Sequence, residues 1–198
     1  MRPRTGDVLL IESSNASAIP TRVGTFSKLS HAETLYIPDR FPDDLRKWET
    51  VSAEWPTMKR LPFSRYKGNT VVHFYRVDCS DAQAYRAYTR AAIKARKRVR
   101  YSAGGLAYVG AMKAVRLFGI LKLSPLALVA HAVAERLPNP FVGSRDIFCS
   151  YSVQEDYEPE VGRFCAGISP SMVTPEDIAR SPKTREIARY ARGRLTID

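Results

Sequence analysis

The chain has 198 residues, 44% of them hydrophobic and 26% charged, with a formal net charge of +11. That length holds one domain with its own core and is short for two. The charge predicts attraction to something anionic, whether nucleic acid, lipid headgroups or a wall polymer, without choosing among them. Three cysteines, Cys79, Cys149 and Cys165, with no CxxC pair, exclude a structural zinc pattern and a fully paired disulfide framework. Three free thiols in a reducing compartment is the simpler reading, and a Cys149–Cys165 bridge the alternative.

The opening "MRPRTGDVLLIESS" has an apolar run too short for a signal-peptide core, so no targeting segment is expected. "GDVLLI" predicts a short buried strand. "HAETLYI" and "TVSAEW" read as strands separated by the proline-marked polar loop "PDRFPDDLRKW". If those two pair antiparallel, one register sets Leu35 opposite Thr50 and His31 opposite Glu54, with Glu49 as the fallback acid and Glu33 on His31's own strand face; a slip of one residue makes Ser52 or Trp55 the neighbours instead. "NTVVHFYRV" alternates with the period of a strand.

From about residue 80 to 137 the texture is helical. Ser80 or Asp81 is a good N-cap for "AQAYRAYTRAAIKARKRVR", whose Arg86, Arg90, Lys94 and Lys97 or Arg98 form a basic ridge beside Tyr85, Tyr88 and Ala92. "SAGGLAYVG" is expected to break this helix before a second one from Met112 to Leu121. The apolar region 117–134, "LFGILKLSPLALVAHAVA", is interrupted by Lys122, Ser124 and Pro125 and falls short of a membrane span. It predicts a helix–turn–helix pair packed in the core, with a membrane-surface hairpin as the sharper alternative. After the loop "PNPFVGSRDIF", Cys149 opens a helix. Thr174 and Pro175 mark another helix start, and a last short helix is expected from Pro182.

A cysteine hydrolase needs a thiolate, a base that generates it and a polar group that orients the base. Cys149, at a helix N-terminus, has the most favourable setting of the three cysteines for a lowered thiol pKa. His31 is the candidate base and Glu54 the candidate orienting acid. His73, inside an alternating strand, and His131, in an apolar helix, read as structural histidines.

In order, "GDVLLI", "SHAETLYI", "VSAEW", "FYRV" and "FCSYSV" resemble the circularly permuted papain-fold cysteine hydrolases. These are the YiiX/YebB-like branch of the NlpC-type superfamily, related to the lecithin:retinol acyltransferase group. The family's Gly-Asp matches Gly6-Asp7, its Ser-His Ser30-His31 and its Cys-Ser Cys149-Ser150, and "VTPEDIARS" is similar to the segment after the cysteine helix. Glu33 stands where the family often has a small residue, and Tyr151 and Ser152 where it often carries an acid.

The resemblance implies an α+β fold, a small antiparallel sheet or barrel packed against helices in the permuted papain arrangement. It implies one hydrolase domain over 1–198 with a basic and apolar helical insertion at about 80–137. The expected activity is a thiol-dependent amidase, peptidase or acyl transferase using Cys149, His31 and Glu54 on a peptide or lipid amide or ester, with no metal or organic cofactor. The expected location is cytoplasmic, with a membrane periphery or an acidic wall polymer as possible contacts. A basic, non-enzymatic module binding nucleic acid through Arg86–Arg100, with Tyr85, Tyr88 and Tyr101 as neighbours, is the alternative.

Overall fold

The computed structural model describes residues 1–13, 27–120, 125–142 and 146–197. Among these, the strands in chain order are β1 (Val8–Glu12), β2 (Leu29–Tyr36), β3 (Glu49–Ala53), β4 (Met58–Pro62), β5 (Val71–Val77), β6 (Arg100–Tyr101), β7 (Asp146–Ile147), β8 (Thr184–Ala191) and β9 (Arg194–Ile197). The helices are α1 (Asp81–Arg96), α2 (Ala103–Ile120), α3 (Pro125–Ala134), α4 (Cys149–Val161) and α5 (Pro175–Ala179). Seven strands form one antiparallel sheet in the order β4-β3-β2-β1-β5-β8-β9, and β6 and β7 make a small parallel pair.

β1 lies at the centre of the sheet and is covered on both faces, which is why it reads as an unbroken apolar run rather than an alternating one. Leu9 and Ile11 face one cluster with Leu35, Trp48, Phe63 and Phe74, while Val8 and Leu10 face another with Ala32, Cys149, Val153 and Tyr157. The second cluster holds α4 against the sheet. The start of β1 is clamped as well: Tyr157 donates its hydroxyl to the Gly6 carbonyl, and Asp7 is gripped by Arg76. Gly6 has φ +90°, and a Cβ there would lie 2.4 Å from the Ala84 carbonyl oxygen, so the close approach of α1 requires glycine.

β2 and β3 pair with Leu35 opposite Thr50, which sets Glu33 opposite Ser52. The ladder stops there because β3 ends at Ala53, so His31 has no cross-strand partner on this side and faces Ile11 of β1 on the other.

Several expectations need correction. "SAGGLAYVG" does not break a helix. It forms the first turns of α2, where a Cβ on Gly104 would lie 3.4 Å from the Phe141 Cβ and one on Gly105 would meet Val142 at 2.5 Å. The glycines serve close packing rather than termination. No helix starts at Pro182. The segment becomes β8 and β9, joined at Arg192 and Gly193 with φ of 51° and 80°, because β5 offers an open ladder and Ile187 and Ala188 are buried against the sheet. The basic ridge of α1 is partly paired within the fold. Arg86 and Arg90 both bind Glu160, and Lys94 binds Glu155 and Asp156, so α4's acids take up most of that charge. α1 thereby belongs to the body of the fold, and Tyr88 stacks on Tyr36 of β2 at 4.9 Å. Of the region 117–134, residues 121–124 lie outside the described residues; α3 is not buried in the core but exposes Leu126, Val129 and Val133. No described helix is long and apolar enough to cross a membrane.

Candidate active site

α4 starts at Cys149, with Phe148 at the N-cap in extended conformation and buried with Val109 and Met172. That anchor aims the first turn of α4 at β2. The thiol of Cys149 faces the ring of His31, each setting the charge of the other, with the backbone N–H groups of Ala32 and Ser150 beside the sulfur. Burial opposes the charged thiolate, but the imidazolium beside it and these N–H groups prevail and hold the thiol below its ordinary pKa. Burial likewise works to lower the pKa of His31. The facing Cys149, then Glu33 and Glu54, outweigh it and lift the ring to about 9. Both directions favour the thiolate and the imidazolium over the neutral pair.

The ring's Nε2 lies 2.7 Å from the Ser52 hydroxyl oxygen and 3.4 Å from a Glu33 carboxylate oxygen. With Nε2 turned to these groups, Nδ1 is left for the sulfur. Ser52 in turn donates to Glu54 at 3.3 Å. Of the sequence-predicted residues, Cys149 and His31 are thus brought together, whereas Glu54 stands one hydroxyl away from the ring instead of bonding it directly. The shortened β3 ladder explains the difference. Glu49 is remote and pairs with Arg60.

Ser52 entered the sequence reading only as the neighbour of a slipped register, and Arg65 and Tyr66, which complete the floor, not at all. Arg65 binds Glu33 and Glu54 together, and the Tyr66 hydroxyl donates to the other Glu33 oxygen at 2.5 Å. Burial would raise the Glu54 pKa, but the Arg65 guanidinium brings it below the ordinary carboxylate value. Ser52 had a signal, since it shares a strand face with Glu54. Arg65 and Tyr66 come from the turn after β4, and nothing in their local sequence points to β2.

The other cysteines have different settings. Burial raises the Cys79 thiol despite Arg4 beside it, and burial pushes Cys165 up to about 11 while its thiol donates to the Asp177 carbonyl at 3.3 Å. All three thiols are free, so no Cys149–Cys165 bridge forms. His73 binds Glu186 at 2.7 Å and His131 lies 3.3 Å from Glu135.

No family model matches the chain, and no curated protein matches it. A solved structure does: the crystal structure of the metalloprotein yiiX from Escherichia coli O157:H7, a DUF1105 protein, is similar with a TM-score of 0.59 and 16% identity. The match covers 96% of this chain and 99% of that one. A likeness of that extent and that identity speaks to fold alone, and the fold this chain shares with yiiX is an α+β arrangement built on the antiparallel sheet described above.

Proposed function

We propose that this protein is a thiol-dependent hydrolase or acyltransferase of the permuted papain type, acting on an amide or ester carbonyl. The observation that carries the reading is the juxtaposition of Cys149, at the tip of α4, with His31 on the facing strand. The Cys149 thiolate attacks the carbonyl carbon, forming an S–C bond as the π pair moves onto oxygen. The Cys149 N–H, at the first helical position with no intrahelical acceptor, is placed to receive that oxyanion, and such a donor is typically worth about 3 kcal/mol in the transition state. The His31 imidazolium gives its proton to the departing nitrogen or oxygen as the C–N or C–O bond breaks, leaving a thioester. Water or another acceptor then attacks the thioester, His31 takes its proton, and the C–S bond breaks to release the acyl product and restore the Cys149 thiolate. Ser52 orients the ring, and Glu33 and Glu54 stabilise its charge. Cys149 is 1% exposed, so a carbonyl reaches the sulfur only when the rim of the site yields.

A metal is the second reading to weigh, because yiiX is described as a metalloprotein and ligand atoms of His31, Glu33 and Glu54 lie within 4.8 Å of one another. The donor set does not fit a resident cation. Arg65 already spans both carboxylates and Tyr66 holds the remaining Glu33 oxygen, so a dication would have to displace a guanidinium from a buried acid.

The experiment is iodoacetamide labelling at mildly acidic pH, read by peptide mass. Selective labelling of Cys149, lost in Cys149→Ala, supports the proposal. Equal labelling of all three cysteines would overturn it. A fall in labelling with added zinc that Glu54→Gln abolishes would favour the metal reading.

A further inference from the structure

The α2–α3 hairpin carries a surface that the site does not use. α3 exposes Leu126 (78%), Val129 (61%) and Val133 (53%), spaced three and four apart on one helical face, and Leu128, Ala130 and Ala132 are exposed beside them. His131 and Ala134 are buried. A surface helix normally turns a polar face to water; the exposed residues described on α3 are all apolar. The apolar surface continues past the helix through Leu137 (53%) to Phe141 (58%).

The base of the hairpin has the opposite character. Ser102 donates to the Phe141 carbonyl at 2.7 Å, which brings the end of this apolar stretch back to the start of α2. Immediately before α2, Arg96, Lys97, Arg98 and Arg100 are exposed, and Arg136 is exposed after α3. Unlike Arg86, Arg90 and Lys94, the residues Arg96, Lys97 and Arg98 have no ion pair among the described residues.

We propose that the α2–α3 hairpin docks on an anionic lipid bilayer, with α3 in the interfacial layer and the basic base of the hairpin against phosphate headgroups. Charge selects this occupant. Two copies of a chain carrying +11 repel each other, whereas an anionic surface attracts it. Length excludes spanning, since a ten-residue helix covers only about 15 Å. Burial of the α3 face supplies the apolar part of binding and the basic cluster the salt-sensitive part.

The test is co-sedimentation of the full chain with vesicles of phosphatidylcholine alone or mixed with phosphatidylglycerol. The mixed vesicles should retain the protein at low salt, pure phosphatidylcholine should retain less, and added salt should weaken binding. The triple variant Leu126→Gln, Val129→Gln, Val133→Gln, which leaves charge unchanged, should lower partitioning about tenfold or more. Its thermal unfolding reports that it is folded. No binding to the mixed vesicles at low salt would overturn the proposal, as would binding indifferent to the triple change. Sedimentation equilibrium showing a dimer that the triple variant dissolves, without vesicle binding, would assign the face to a second copy instead.

Discussion

The floor beneath Cys149 and the outer face of α3 manage their awkward groups in opposite ways. Beneath Cys149, a buried carboxylate, Glu33, is held by Arg65 and Tyr66, and a buried thiol is set against the His31 ring. Charge taken out of water survives only with such partners, so the site is an interdependent network. On α3 the awkward groups are apolar side chains with much of their surface facing solvent. Substitutions should therefore be expensive in the first region and nearly silent for folding in the second.

The largest effect should come from Cys149→Ala, which should abolish turnover and acid-pH labelling while circular dichroism stays unchanged. His31→Ala should slow labelling at about pH 6 by roughly a hundredfold, because the thiol returns toward an ordinary pKa. Arg65→Met leaves Glu33 buried without its cation and should cost about 3 kcal/mol or more in denaturant unfolding. If it costs nothing, the network description of the floor fails.

Smaller effects sharpen the contrast. Turnover should fall as pH rises through about 9, where the imidazolium loses the proton it delivers, and at low pH as the thiolate is protonated. Ser52→Ala removes an acceptor for the imidazolium, so it should lower the rate about tenfold and move the alkaline limb to lower pH. The Asp156 carboxyl is raised by burial to about 7 from 3.8, with Lys94 pulling it back. Such a group contributes stability below 3.8 that is lost as pH rises through about 7, so Asp156→Asn should flatten that decline in melting temperature. Last and least, the triple glutamine change on α3 should alter stability by less than about 0.5 kcal/mol per site.

What could be read in the sequence was whatever local pattern controls. Thr174 and Ser80 form the expected helix caps, and Leu35 does lie opposite Thr50, because capping boxes and alternation are short-range facts. The placement of Cys149 at a helix start is of the same kind. Arg65, Tyr66 and the β8–β9 hairpin escaped because distant chain decides them: a buried acid on β2 recruits the first two, and the open ladder of β5 overrides the helical look of "TREIARYA". The ion pairs made by the basic run on α1 were hidden for a related reason. Its neutralising acid, Glu160, lies far along the chain on a helix that had to be docked before the pairing existed.

The wide separation of His31 and Cys149 along the polypeptide has a consequence for biosynthesis. The sulfur emerges from the ribosome long after the imidazole, and until α4 docks on β2 it has no base beside it and no amide groups from Ala32. A nascent or unfolded molecule therefore carries an ordinary, sluggish thiol. Reactivity toward electrophiles and oxidants arises only on completion of tertiary structure, so the rate of acid-pH alkylation also serves as a gauge of correct maturation.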